Sequence, residues 1–184
     1  MLLLCLLAAS CGSREREYGP VEKVIVDAIV ERYPDCLDVE FSSLVKVDST
    51  TYGQEIQRRH DLFEYKLKAD GKLRERFRAA RMRTNMRRKD GDMANDTRIL
   101  AGIDSLEAVL APVLGDIAYY DYRWSAVAHL KDSDVTCTDM YANVSPDLTF
   151  CRLVVKAGEV HKGMGRIIPG YMELLRGGSE DTEE

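Results

Sequence analysis

The sequence predicts an α+β domain in which helices pack on one face of a roughly four-stranded antiparallel sheet. The order of patterns along the chain leads to this: one helix, one strand, two or three helices, then three strands. Short polar segments, KDSD and SPD, join the last three strands (117–130, 135–144 and 148–157), as in an antiparallel meander. The 184 residues suit one domain, which we place at 20–176.

The first helix is predicted from Pro20 to the residue before Pro34. Proline suits the first helical position, and apolar residues recur at helical spacing after it: Val21, Val24, Ile25, Ala28 and Ile29. Segment 38–48 alternates as a half-buried strand does, with one face made of Val39, Phe41, Ser43, Val45 and Val47. The sequence therefore predicts one strand of the sheet before the long helical region.

The middle of the chain is predicted to be helical. Residues 51–89 form one long helix or two broken ones, and the polar stretch KDGDMAND separates them from another amphipathic helix. Asp96 or Thr97 would cap that last helix, and Pro112 and Gly115 mark its end.

The densest aromatic cluster lies in the predicted strand 117–130. Alternation puts one set of side chains on a single face: Tyr120, Tyr122, Trp124, Ala126, Ala128 and Leu130. Packing in the core is the favoured interpretation of this face. If the sheet curves around a pocket, the residues expected to line it are Tyr122, Trp124 and Tyr141.

The first seventeen residues, MLLLCLLAASCGSRERE, are unlike the start of a folded domain. Residues 2–7 form a short apolar core, and small residues then lead to Cys11, as in a signal peptide covering residues 1–10. This stretch resembles the lipobox of bacterial lipoproteins, although Ala8 stands where leucine is usual. The alternative is a buried N-terminal segment with Cys11 as a small hydrophobe, but the segment lacks the polar face of an amphipathic helix.

The resemblance implies that Cys11 becomes the first residue of the mature protein and carries acyl chains. Two or more chains anchor a protein stably to a membrane, whereas one chain gives only reversible binding. Residues 11–19 would then be a tether, and the acidic stretch 177–184 a disordered tail. Gly12 follows the cysteine, where aspartate would favour inner-membrane retention in enterobacteria, so the resemblance implies a cell-envelope, outer-membrane location.

Residues 66–89 are strongly basic in a chain whose formal net charge is -5. A solvated helix face paired with acids elsewhere is the favoured interpretation. The alternatives are contact with anionic lipid headgroups or lipopolysaccharide phosphates, with nucleic acid, or with an acidic protein. Nucleic acid is disfavoured, since Phe77 alone supplies an aromatic among the charges. The residues expected at an anionic surface are Lys72, Arg74, Arg76, Arg78, Arg81, Arg83, Arg87 and Arg88.

The cysteines and histidines indicate no catalytic or metal centre, and no cofactor is expected. No C-x-x-C pair occurs, and the three histidines (His60, His129 and His161) are scattered. Cys137 and Cys151 lie on consecutive predicted strands, so a disulfide between them depends on the register of the turn; buried free thiols are favoured.

The sequence thus favours a non-enzymatic envelope lipoprotein that binds or scaffolds at a membrane. Two alternatives remain open at this point. One is a small hydrolase or isomerase with a pocket in a cystatin-like or nuclear-transport-factor-like cone, which is an analogy of fold only. The other is a cytoplasmic protein that binds nucleic acid through the basic segment 66–89.

Overall fold

A computed structural model describes residues 16–177 and confirms the α+β prediction. Within these residues, four α-helices accompany one antiparallel sheet whose strands lie in the order β1–β2–β3–β4, defined below. The predicted signal peptide, Cys11, the first part of the tether and nearly all of the acidic tail lie outside the described residues.

Helix α1, Pro20–Arg32, begins where the sequence predicts. Pro20 supplies the first helical position, and the Glu22 carboxylate accepts a hydrogen bond from the Gly19 backbone N–H at 2.9 Å. Ile25 and Ile29 are buried on one face of α1, where they pack on the sheet. The apolar spacing of α1 therefore positions the helix over the main core.

Strand β1, Cys36–Thr51, is longer than predicted, and its simple alternation is wrong in the second half. The pairing with β2 shifts register between Phe41 and Ser43 and again between Lys46 and the next paired residue. An extra residue at a bulge moves the following side chains to the other face. Leu44 therefore packs on the core, whereas Val45 and Val47 are 50% and 46% exposed.

The C-terminal meander is confirmed. Strand β2 spans Ile117–Leu130, β3 spans Asp134–Val144 and β4 spans Cys151–Val154, so β4 is shorter than predicted. On β2 the predicted inward face is correct for Trp124, Ala126 and Ala128, which are buried under α1, whereas Tyr120 lies outside this core and Tyr119, on the other face, is fully buried.

Helices α2 (Tyr52–Ala79) and α3 (Arg83–Val109) form an antiparallel helical hairpin. A capping box begins α2, since Thr51 Oγ1 accepts from the Gln54 N–H and Gln54 Oε1 accepts from the Thr51 N–H. The turn lies at residues 80–82, where Arg81 adopts a positive φ of 57°. The expected break at KDGDMAND is wrong, because that stretch is helical throughout.

The prediction that Asp96 or Thr97 caps the start of the last helix is also wrong. Asp96 and Thr97 lie inside α3, and the Thr97 hydroxyl donates to the Met93 carbonyl at 2.8 Å. Short polar side chains in a helix interior are tolerated in this way, by bonding one turn back. The polar composition of the stretch therefore reflects an exposed helix surface and not a helix boundary.

The chain ends in short 3-10 turns and helix α4, Tyr171–Arg176. Ile168 and Tyr171 pack against the base of the hairpin, where Ile56, Ile99 and Ile103 are buried, forming a second core. Within residues 16–177, no helix combines the length and the apolar character that a membrane span requires.

The last residues of the predicted tether are fixed to the sheet. The Tyr18 hydroxyl accepts from the Val39 N–H at 3.0 Å and donates to the Asp38 carboxylate, and its oxygen lies 3.0 Å from the Val39 carbonyl. Arg16 Nη1 donates to the same carbonyl at 3.3 Å. These contacts satisfy backbone groups on the free edge of β1 and set where the chain enters the domain.

Candidate functional site

The hairpin of α2 and α3 presents a long exposed arm. None of residues 64–95 is buried, and the last buried side chains on the two helices are Phe63 and Asp96. From Phe63 to Ala79, α2 extends for about 24 Å at 1.5 Å per residue. Ion pairs join the two helices along the arm: Lys89 to Asp70 at 3.0 Å and Arg74 to Asp90 at 2.5 Å.

Five of the eleven basic residues in 66–89 are engaged in ion pairs. Within the arm, acidic residues hold Lys66, Lys68, Arg74, Arg78 and Lys89. The other six are exposed and make no ion pair within residues 16–177: Lys72, Arg76, Arg81, Arg83, Arg87 and Arg88. We call these six residues the basic tip. All the acidic partners lie on α2 or α3, so the expected pairing with acids elsewhere on the fold is not found in the described part of the chain.

Four members of the basic tip lie at or beside the helix–helix turn. Arg81 and Arg83 flank Met82, whose side chain is 45% exposed, and Arg87 and Arg88 follow one turn later on α3. Two of the eight predicted surface residues, Arg74 and Arg78, have acidic partners instead. Six of the eight residues predicted at an anionic surface therefore have no acidic partner in the described part of the chain. The exposed apolar side chain of Met82 lies among them.

A buried polar cluster joins the hairpin base to the sheet and the C-terminal segment. Glu55 and Tyr119 are fully buried, and the Tyr119 hydroxyl lies 3.0 Å from Glu55 Oε2 and 3.0 Å from His161 Nδ1. Arg58 Nη1 donates to the tyrosine oxygen at 3.1 Å and to Glu55 at 3.2 Å. Arg59 pairs with Glu55 at 2.6 Å and donates to the His161 carbonyl.

The chemistry of this cluster favours a structural role over catalysis. Burial above all, and then the Glu55 carboxylate, raise the pKa of the Tyr119 hydroxyl far above its usual range, so the group stays protonated. With its side chain wholly buried, Tyr119 is also closed to a substrate. The sequence did not reveal this cluster; its one local signal is an opposite-charge pair four residues apart, Glu55 and Arg59, beside the buried Ile56.

The cluster predicts a pH dependence of stability. Burial and the Arg58 guanidinium lower the pKa of His161 below 6.5, so the unfolded chain binds a proton more readily than the folded one. The contribution of neutral His161 to the free energy of unfolding should therefore be complete above pH 6.5. It should be lost as the pH falls through the lower pKa that His161 has in the folded protein. Urea unfolding of wild type and His161→Gln across this range should show a steeper pH slope for wild type. Equal slopes would contradict the prediction.

Of the predicted pocket residues, Trp124 lines an apolar cavity. This cavity, of about 170 Å³, lies between the C-terminal end of α1 and the sheet, and its walls are mainly apolar. Met140, the cross-strand neighbour of Trp124, is part of the same wall. Tyr122 packs at the margin of the main core, and Tyr141 lies one residue beyond Met140, on the other face of β3.

The disulfide between Cys137 and Cys151, which the sequence left open behind the favoured free thiols, is not formed. The β3–β4 register pairs Cys151 with Val144, which is seven residues and about 23 Å along the strand from Cys137. Both thiols are free, as is Cys36. Burial raises the pKa of Cys151 to about 12, so this thiol is not a nucleophile at neutral pH. No cluster of potential metal ligands occurs within residues 16–177.

Comparison with known proteins gave no match to any family model, curated protein or solved structure.

Proposed function

We propose that this protein is a bacterial envelope lipoprotein: a non-enzymatic binding module, held to a membrane by acyl chains on Cys11, that contacts an anionic surface through its hairpin. The lipobox-like leader supports the anchor, and Gly12 supports the outer membrane as its location. The observation that carries the surface contact is the basic tip, six exposed cations without acidic partners in the described part of the chain.

The energetics of the basic tip suit a phosphate-bearing membrane surface. Each lysine or arginine near an anionic bilayer contributes about 1 kcal/mol, and this attraction falls off within a Debye length. The acyl anchor would add to it by holding the arm at high local concentration near lipid. A modest attraction per residue is therefore sufficient for stable contact.

Met82 favours lipid headgroups over nucleic acid as the partner. Its exposed side chain lies between two arginines at the end of the arm, which suits the boundary between headgroups and acyl chains. Single-stranded nucleic acid is recognised instead by aromatic side chains interleaved with the charges.

A small pocket enzyme is the alternative function. The Glu55, Tyr119 and His161 cluster is the arrangement that could supply acid–base groups for such an enzyme. The complete burial of Tyr119 and its raised pKa favour the structural role described above.

Lipid labelling tests the anchor. In bacteria fed radioactive palmitate, we expect label on the wild-type protein and none on Cys11→Ala, because the thiol of Cys11 is the proposed acylation site. Cys5→Ala is the matched control: it also removes a leader cysteine, and it should keep the label. Absence of label from the wild type, or equal labelling of Cys11→Ala, would show that the protein is not a lipoprotein acylated at Cys11.

A further inference from the structure

An apolar cavity and a cationic cleft lie side by side between α1 and the sheet. The cavity that Trp124 lines has a volume of about 170 Å³, and the more open cleft beside it about 380 Å³. Arg32 and Leu153 belong to the walls of both, so the two spaces adjoin.

The cleft is positively charged. Three arginines line it (Arg32, Arg152 and Arg166) together with a single carboxylate, Glu31. Arg152 is held in place by the Asn143 side chain at 3.1 Å and by the backbone carbonyls of Glu159 and Val160. Asn143 lies on the face of the sheet opposite Ala142 and Val144, which pack under α1, so these bonds hold the Arg152 guanidinium away from the cleft.

The other two arginines keep hydrogen-bonding capacity for a ligand. Arg166 lies over the ring of Phe150 at 5.0 Å and Arg32 lies near the ring of Tyr33 at 5.8 Å. Neither guanidinium has an ion-pair partner within residues 16–177. Stacking on an aromatic ring fixes the plane of a guanidinium and leaves its N–H edge free to bind a carboxylate or phosphate.

We propose that the cavity and the cleft together bind an anionic amphiphile, with its apolar body beside Trp124 and its carboxylate or phosphate head between Arg32 and Arg166. Most ligand sites are built in this way, from apolar walls and a few charged groups that orient the ligand. The assignment does not depend on the acyl anchor or on the basic tip.

The volume sets the size of the apolar body. An apolar cavity of about 150 Å³ accepts a group the size of benzene, so this cavity holds the end of an alkyl chain of roughly six carbons. Three exposed apolar residues of its wall, Tyr33, Val135 and Val155, extend the apolar surface toward solvent. A single medium-length chain fits these dimensions, whereas a compact inorganic anion would leave the cavity empty.

Binding can be measured directly, because Trp124 is the only tryptophan in the chain. Full-length protein carrying Cys11→Ser, purified without detergent, is titrated with sodium octanoate and with octyl phosphate while tryptophan fluorescence is recorded. We expect a saturable change with at least one of the two. Tighter binding of octanoate would indicate a fatty acid, and tighter binding of octyl phosphate a phospholipid-type head. Absence of a saturable change with both overturns the proposal.

The head-group assignment is tested by charge. Octylamine has a chain of the same length and the opposite charge, so we expect no saturable change with it. Arg32→Ala and Arg166→Ala should each weaken binding of the anionic probe by roughly ten- to a hundredfold, the effect of one hydrogen bond to a charged group. Both side chains are exposed, so folding should persist, which circular dichroism checks.

Lys23→Ala is the matched control for charge on the same helix, since Lys23 is exposed on α1 and lines neither space. We expect it to leave the affinity unchanged. The proposal would be overturned if Lys23→Ala lost as much affinity as Arg32→Ala, or if octylamine bound as tightly as octanoate. Either result would show that the cationic cleft does not bind the head group.

Discussion

Replacing Arg81, Arg83, Arg87 and Arg88 together by glutamine should nearly abolish binding to anionic vesicles. Four basic residues at about 1 kcal/mol each give about 4 kcal/mol, or between a hundredfold and a thousandfold in affinity. The measurement is co-sedimentation of the unlipidated Cys11→Ser chain with phosphatidylcholine vesicles that contain or lack phosphatidylglycerol. Since both proteins lack acyl chains and share the same leader, the difference between them reports the basic tip.

A second set of substitutions separates position from net charge. Removing four exposed lysines outside the hairpin lowers the net charge by the same amount and should leave vesicle binding nearly intact: Lys23, Lys131, Lys156 and Lys162. Binding by the wild type should also weaken as salt is added, since exposed charges are screened. Equal losses in the two sets, or unchanged binding after the hairpin substitutions, would contradict the surface contact.

Sequence periodicity predicted the buried face of an element correctly where one period runs through the segment without interruption. Pro20 and the apolar spacing after it predicted the start and the buried face of α1, and the alternation predicted the inward face of β2 from Trp124 to Ala128. In β1 the bulges after Phe41 and Lys46 reverse the alternation of buried and exposed side chains. No residue type in that segment predicts these bulges.

The hairpin turn was unpredictable for a different reason. Glycine and proline are the usual breakers, but Gly71 and Gly91 lie inside α2 and α3, and the turn contains neither residue type. Arg81 takes the left-handed conformation there, and the Met82 N–H bonds to the Phe77 carbonyl at 2.8 Å. This closure resembles a helix C-cap motif without its usual glycine.

The buried polar cluster of Glu55, Tyr119 and His161 could not be predicted from the sequence, because its members are far apart along the chain. Tyr119 is 64 residues from Glu55 and 42 from His161, and only the tertiary fold brings them together. The arginine cleft likewise combines α1, β4 and a 3-10 turn near the C-terminus. Periodicity reports which face of an element is buried, and it carries no information about which faces meet.

Replacing Glu55 by alanine should be the most destabilising single change at the hairpin base. The carboxylate is fully buried and neutralises Arg59, whose side chain is only 11% exposed. Removing one partner of a buried ion pair leaves an uncompensated charge and costs about 3–5 kcal/mol. Urea unfolding, followed by the fluorescence of Trp124, should therefore show this loss in the free energy of unfolding.

Two variants distinguish a buried charge effect from general damage to α2. Glu64→Ala removes an exposed ion pair with Lys68 on the same helix, and we expect a loss below about 1 kcal/mol. The double variant Glu55→Met with Arg59→Leu removes both charges, so its loss should be smaller than the sum of the two single losses. Additive losses, or a loss in Glu55→Ala no larger than in Glu64→Ala, would mean that the buried pair does not hold the hairpin to the sheet.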